Sequence, residues 1–204
     1  MIYSAITAAV SYLIGSINSA VIISKAHYGK DIRQFGSGNA GTTNTLRVLG
    51  KKAGAAVFLI DFSKGLLCTA AARCLVCFFE FPYECMLVAG FSVQFGHAFP
   101  LFFRFKGGKG VATAAGAAVG IMPLVAATLI AVFALTVLIT RIVSLGSVIS
   151  AAAYPLIAYF CSDSHAYANF VFAAACAVLI TIKHAENFVR LLDGKENKIS
   201  FKKT

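Results

Sequence analysis

Long apolar runs separated by short polar turns dominate the chain, and they decide what it can fold into. A helix needs about 20 apolar residues to cross the hydrocarbon of a bilayer, where every backbone polar group must be satisfied within the segment itself. The candidate spans are residues 2–24, 53–79 (apolar core 65–79), 84–103, 111–140, 142–160 and 167–182. With 59% hydrophobic and only 13% charged residues, the chain lacks the polar surface of a soluble domain, which carries about 25% charge. The fold class expected is an all-α integral membrane protein. The first run has no basic leader and is too long for the apolar part of a cleaved signal, so it reads as a first span that stays.

Residues 111–140 would make a helix of about 45 Å, too long for one comfortable crossing, and Pro123 lies inside the stretch. Proline removes a backbone donor and favours a break. The stretch is therefore one tilted helix or two shorter ones turning near Met122 and Pro123. Charge placement favours the second. Segment 25–52 carries six Lys/Arg, segment 104–109 three and segment 183–204 six, whereas the turn at 80–84 is acidic and that at 161–166 offers only Asp163. A single crossing would strand the basic tail opposite the other basic loops; two crossings gather all three segments and Arg141 on one side. Basic loops collect on the cytoplasmic face. About seven transmembrane helices follow, some short, with the N-terminus outside and the C-terminus cytoplasmic. Five crossings with re-entrant pieces is the alternative. Residues 1–204 read as a single domain without linkers or internal repeats.

The net charge of +10, from 18 Lys+Arg against 8 Asp+Glu, does not point to nucleic acid. The basic residues are spread over loops and interleaved with Gly, Ser and Asn, not with the stacking aromatics of nucleic-acid surfaces. Cys74 and Cys77 have CxxC spacing, but no second ligand pair follows, so they and Cys68, Cys85, Cys161 and Cys176 read as small buried apolar side chains. No metal constellation and no cofactor are expected.

Three polar segments, 29–47, 96–113 and 183–198, carry candidate chemistry. The first contains Gly36-Ser-Gly-Asn-Ala-Gly41, a literal G-x-G-x-x-G, yet no buried strand precedes it and Asp61, 20 residues on, falls in an apolar run, so a dinucleotide fold is rejected. Its physical content survives. Glycines expose backbone N–H groups, Ser37, Asn39, Thr42, Thr43 and Asn44 add neutral donors, and Arg47 adds a bidentate cation, a set suited to phosphate oxygens. In the second, Lys106-Gly-Gly-Lys-Gly110 leads straight into an apolar helix, so backbone amides and a helix N-terminus face the loop as an anion site. It is not a Walker loop: Phe103 stands at the first Gly position and Gly110 where Ser or Thr is needed. Lys106 and Lys109 act as point charges, while Gly107 and Gly108 permit close backbone approach. In the third, His184 and Asn187 share a helical face at the end of the last span. Asp61 and Lys64 lie at membrane depth, where ionisable groups are functional candidates or a self-satisfied pair. Arg73 is deeper and has no assigned role; Glu80 is its candidate partner.

At these segments the chain closely resembles the bacterial acyl-phosphate:glycerol-3-phosphate acyltransferases of the PlsY family. Ser37 through Arg47 meet the family's Ser-Gly-Asn-x-Gly-x-Thr-Asn-x-x-Arg core. Gly96 through Thr113 meet its Gly-His run ending Lys-Gly-Gly-Lys-Gly-Val-x-Thr. His184, Asn187, Arg190, Leu191, Gly194 and Glu196 meet its third motif, and Asp61-x-x-Lys64-Gly65 also fits. One departure is Asn18, where the family usually has Pro, which puts a local kink in doubt.

The resemblance implies transfer of a fatty acyl group from acyl phosphate to the sn-1 hydroxyl of glycerol 3-phosphate, giving lysophosphatidic acid and phosphate in bacterial phospholipid synthesis. It implies glycerol 3-phosphate binding by Lys106, Gly107, Gly108 and Lys109, and engagement of a substrate phosphate and the transferring centre by Ser37 and Arg47. His184 and Asn187 would orient the attacking hydroxyl, with His97 a second candidate base. Asn39, Thr43, Asn44 and Lys64 complete the expected substrate contacts. The lipid bilayer is an expected partner, with a functional link to an enzyme that makes acyl phosphate. The mixed anhydride is already activated, so no enzyme nucleophile is needed, and no nucleophile–base motif is present. An anion transporter is the alternative from another class, but transporters show repeated halves, whereas these are three unlike loops. A soluble-type acyltransferase needs His-x4-Asp, which no histidine here satisfies.

Overall fold

The computed structural model describes residues 2–162 and 164–199. The acidic contribution of Asp163 and the tail lysines Lys202 and Lys203 lie outside them. The described chain is helical, with no strand among these residues: α1 (Ile2–Gly15), α2 (Ser19–Tyr28), α3 (Thr42–Leu49), α4 (Lys51–Phe79), α5 (Glu84–Ala98), α6 (Val111–Ile121), α7 (Pro123–Thr140), α8 (Val143–Phe160), α9 (Ala166–Lys183) and α10 (Ala185–Leu192). Among the described residues six apolar stretches are long enough to cross a bilayer: Ile2–Tyr28 taken through its break, Lys51–Phe79, Glu84–Phe103, Pro123–Thr140, Val143–Phe160 and Ala166–Lys183. Val111–Ile121 is a shorter apolar helix. The stretch 111–140 is thus two helices, with Pro123 starting the second, and the arrangement has six long segments and one short.

The first span differs from the uninterrupted helix expected over 2–24. It breaks after Gly15 and restarts at Ser19, because Asn18 takes an extended backbone and its side-chain oxygen accepts from the Val21 N–H at 3.0 Å. A cap of this kind satisfies an orphan amide of the new helix. The kink therefore exists without proline.

The chain packs as two units, 1–123 and 124–204. In the first, α4 lies against α6 and α1 against α5, in both cases through glycine. A Cβ on Gly65 would collide with the Thr113 carbonyl, and one on Gly116 with the Phe62 carbonyl. Likewise Gly15 faces the Val93 carbonyl and Gly96 that of Tyr12. Between helices in lipid, where apolar side chains gain nothing by leaving the tails, such backbone approach is what supplies dispersion energy. Arg73 donates to the Gly120 carbonyl at 3.4 Å, near the negative C-terminal end of α6, so this carbonyl and not Glu80 takes its charge. A small apolar core of Ala20, Val21, Ile32, Ala40 and Val57 holds the first polar segment onto α2 and α4.

In the second unit α8 packs on α9, with Tyr154 edge-on to Phe172 at 6.1 Å between centroids. The cysteines correct one expectation: Cys68, Cys85 and Cys176 are buried, but Cys74, Cys77 and Cys161 are exposed. The outer surface of a span is itself apolar, so a thiol is as well placed facing lipid as facing the core.

Replacing Gly116 by Leu should lower the melting temperature of the detergent-solubilised protein by well over 5 °C, the scale of a core overpacking of about 1–3 kcal/mol or more. Leu67→Ala, on an exposed position of α4, should leave it nearly unchanged; equal effects would remove the role given to glycine contact.

Candidate active site

The first polar segment is built on one carboxylate and one side-chain amide, both of which bind backbone. Asp31 accepts from the Arg33 N–H at 3.1 Å and from the Arg33 side chain at 2.9 and 2.7 Å, with Lys25 at 3.2 Å. These bonds, Arg33 first, hold the Asp31 carboxyl well below the usual carboxylate range. Arg33 also donates to the Phe103 carbonyl at 3.2 Å, tying the first segment to the second. Asn44 is 1% exposed: its oxygen accepts from the Ser37 N–H at 2.9 Å, and its amide donates to the carbonyls of Phe35 at 2.9 Å and Ile32 at 3.3 Å. Gly36 and Gly38 flank Ser37 with φ of 60° and 70°, a conformation that other residues adopt only with strain. Ser37 thus sits half-buried at the tip of a fixed turn.

The turn delivers the chain into α3, whose N-cap Gly41 supplies no side-chain bond. Thr43 is half-buried in the first turn, and Arg47, one turn later on the same face, is exposed. Asn39 is half-buried beside Gly41. In the second segment α6 likewise starts from a glycine, Gly110, without a side-chain cap. Two helix N-termini therefore keep their orphan amides for another partner, and each carries a positive end. Thr42 in the first turn of α3 and Thr113 in that of α6 have buried hydroxyls with no hydrogen-bond partner among the described residues.

The two segments meet at Gly108. Its N–H donates to the His97 carbonyl at 3.2 Å, a Cβ there would stand 2.8 Å from the Ala40 carbonyl oxygen, and it would collide with His97 Nε2. A Cβ on Gly107 would strike the His97 carbonyl. Lys106 is exposed and Lys109 half-buried.

Beneath this loop lies a buried ionic cluster. Asp61 is 1% and Lys64 7% exposed, with His97 at 4%. The Lys64 ammonium lies 2.8 Å from Asp61 Oδ1 and 2.9 Å from His97 Nδ1, and donates to the carbonyls of Gly15 and Ile17 at 3.1 Å each. Ser19 adds a bond to Asp61 at 3.0 Å. Those two carbonyls are the ones released by the break after α1, so Lys64 caps the broken helix from another span. The same His97 Nδ1 lies 3.4 Å from Asp61 Oδ1, so the imidazole touches both members of the ion pair.

In the second unit the buried histidine meets backbone instead of an ion pair. His184 Nδ1 contacts the Ile180 carbonyl at 2.8 Å, and a carbonyl only accepts, so Nδ1 carries the proton and Nε2 is the acceptor nitrogen of the neutral ring. Asn187, 6% exposed, donates to Glu196 at 2.7 Å; Ser144 and Arg190 donate to the same carboxylate at 3.0 and 2.9 Å. Burial opposes the charge on Glu196, but these hydrogen bonds outweigh it and hold the carboxyl below its usual range. Glu196 stood in the third motif without a role; its hub position depends on contacts across the fold that spacing does not disclose.

An apolar groove of about 570 Å³ runs between α1 and α4, lined by Ile6, Val10 and Ile14 on one side and Leu67 and Leu75 on the other, with Lys64 in its wall.

The glycerol-3-phosphate acyltransferase family profile matches residues 5–194. A protein of Chlorobaculum tepidum called glycerol-3-phosphate acyltransferase is 43% identical over 94% of both chains, and one of Chlorobium phaeobacteroides with the same name is 41% identical over 95% of both. The crystal structure of PlsY, an integral membrane glycerol 3-phosphate acyltransferase, in its glycerol 3-phosphate form superposes with a TM-score of 0.88 at 35% identity, over 97% of this chain and 96% of that one. Its lysophosphatidic acid form gives 0.83 at 33% identity, over 97% and 95%.

Lys64→Met alone leaves Asp61 buried without its ammonium partner and should cost about 3–5 kcal/mol, read as a large fall in melting temperature. Combining it with Asp61→Asn should recover the part that comes from the buried carboxylate, while the Gly15 and Ile17 carbonyls stay without their donor. A double variant no more stable than the single would remove the ion pair from the account of stability.

Proposed function

The chain belongs to the glycerol-3-phosphate acyltransferase family, and from that premise we propose that it moves a fatty acyl group from acyl phosphate to the sn-1 hydroxyl of glycerol 3-phosphate. The products are lysophosphatidic acid and inorganic phosphate. The observation that carries this reading is the meeting of two glycine-rich segments at Gly108, each leading into a helix whose N-terminus has no side-chain cap. Both substrates carry phosphate, and two such anion sites suit two phosphates. The groove between α1 and α4 suits the acyl chain, since it is apolar and walled partly by the lysine that touches His97.

The roles follow the chemistry of each group. Lys106, Lys109 and the amides around Gly107 and Gly108 hold the glycerol 3-phosphate phosphate. Ser37, Arg47, Asn39, Thr43 and the unpartnered hydroxyls of Thr42 and Thr113 serve the acyl phosphate and the charge that develops on its carbonyl oxygen. The sn-1 oxygen attacks the acyl carbon, the new ester bond forms, and the anhydride C–O bond breaks with its electron pair leaving on phosphate. His184 Nε2 accepts the hydroxyl proton and Asn187 orients the attacking group. Asn44, Lys64 and His97 act by position: Asn44 shapes the Ser37 turn, and Lys64 with His97 supports the second loop. Residues 1–204 are read as one acyltransferase domain. The basic loops face the cytoplasm of a bacterial cell, the N-terminus lies outside, and an enzyme that makes acyl phosphate supplies the donor.

Purified protein in lipid, given palmitoyl phosphate and glycerol 3-phosphate, should release phosphate and lysophosphatidate in equal amounts; turnover with acyl-CoA but none with acyl phosphate would overturn the donor. Ser37→Ala, Arg47→Ala and His184→Ala should each lower kcat by at least ~100-fold, and near-normal rates in all three would move the site elsewhere. Gly107→Ala and Gly108→Ala should chiefly raise the KM for glycerol 3-phosphate. His97→Asn, which keeps an acceptor for Lys64, should retain kcat within about ten-fold, whereas loss on the scale of a general base, ~100-fold or more, would make His97 the base.

A further inference from the structure

We infer that α10 lies in the plane of the membrane surface, with one face bound to lipid, and that the bilayer is its partner. The helix sorts its side chains into three arcs. Asn187 is buried, and Leu191 beside it is half-buried. Glu186 and Arg190 form a charged arc, 3.7 Å apart. The third arc is apolar and open: Ala185 is exposed, Phe188 half-exposed, Val189 61% exposed and Leu192 88% exposed. Positions i, i+3, i+4 and i+7 make one continuous stripe on a helix, so these four residues present a single apolar face.

Covalent continuity names what covers that face. The span α9 ends at Lys183, and α10 begins after His184 alone. Val178 and Ile182, at the end of α9, are 58% and 61% exposed, which in a membrane span is lipid contact. The open face of α10 therefore continues a lipid-facing surface at the level where the span leaves the hydrocarbon. Lysines bracket it: Lys183 before, Lys195, with a side chain 76% exposed, and Lys198 after. Amines there reach the phosphate level while their stems lie on apolar surface. An apolar stripe, a charged opposite arc and flanking lysines are the marks of a helix seated about 5–10 Å into the boundary between headgroups and chains.

The inside of α10 holds the third polar segment. His184 stands just before its first residue, its ring bonded back to the Ile180 carbonyl, and Asn187 binds Glu196 from the opposite arc. On the reading proposed above, lipid contact then fixes these two groups at headgroup depth, where an acyl phosphate dissolved in the bilayer presents its phosphate.

The chain contains no tryptophan, so single tryptophans report their own surroundings. Leu192→Trp, Val189→Trp and Glu186→Trp are each reconstituted in phosphatidylcholine–phosphatidylglycerol vesicles, with and without lipids brominated at shallow acyl positions. Leu192→Trp and Val189→Trp should emit to the blue of Glu186→Trp and be quenched by the brominated lipid at least about two-fold more strongly, as burial of about 5–10 Å requires. Emission as red as that of Glu186→Trp would overturn the proposal, because the face would then be in water. Blue emission without quenching would also overturn it, because protein rather than lipid would cover the face. If one of the two apolar-face variants does not fold, the other decides. None of these outcomes depends on which acyl donor the protein uses, so a failed assay with acyl phosphate leaves this result standing.

Discussion

The first unit is organised around one ammonium group. Lys64 is 7% exposed and lies within 3.1 Å of a carboxylate, an imidazole nitrogen and two backbone carbonyls. A charge at that depth is costly unless every proton finds an acceptor. Here the acceptors come from three helices and from the break between α1 and α2. The cation therefore does more than balance Asp61: it makes the broken helix tenable, because the carbonyls that lose their partners at Gly15 and Ile17 regain one. The break in turn exposes Ser16 and Ser19 side chains to other elements. Ser16 accepts from the Leu101 N–H at 3.2 Å, and Ser19 binds Asp61. The turn after α5, which leads to the second glycine loop, is held from the same place.

That chain of contacts explains the form of the loops. His97 is fixed on one side by Lys64 and receives the second loop on the other, where Gly107 and Gly108 leave no room for a Cβ. The loop then touches Ala40 of the first segment. Rigidity set at the buried ion pair is thus passed on to the glycine loops. The second unit follows the same logic with opposite charge: Glu196 accepts from Asn187, Ser144 and Arg190, so a carboxylate, not an ammonium, sets the local geometry.

Much of this was legible in the sequence, and what was not has a common cause. Pro123 marked the division of 111–140 because proline acts on its own backbone. The two loops were legible because glycine density and cation spacing are local. The first-helix break was not, since Asn18 and Ser19 break a span only when a cap and a lysine from another helix receive the freed groups. Lys64 and His97 are 33 residues apart, and Asn187 and Glu196 are joined through a turn; no periodicity encodes either pair. The exposed cysteines are hidden from sequence for a different reason. Apolar neighbours in sequence signal burial in water, but in lipid they describe the surface equally well.

Asn44 shows how this matters for reading residue roles. By type and spacing it belongs with the phosphate donors, yet its oxygen holds the Ser37 amide and its nitrogen holds two carbonyls. Substituting it would leave three backbone groups near the site without partners, each worth about 1–3 kcal/mol where buried, and would release the turn that presents Ser37. Activity would fall as steeply as if a substrate contact had been lost. The distinction lies elsewhere: loss of a contact leaves the melting temperature in place, whereas loss of Asn44 lowers it together with turnover. In the site proposed above, made largely of backbone amides, the side chains that hold the backbone would carry as much of the chemistry as those proposed to face the substrate.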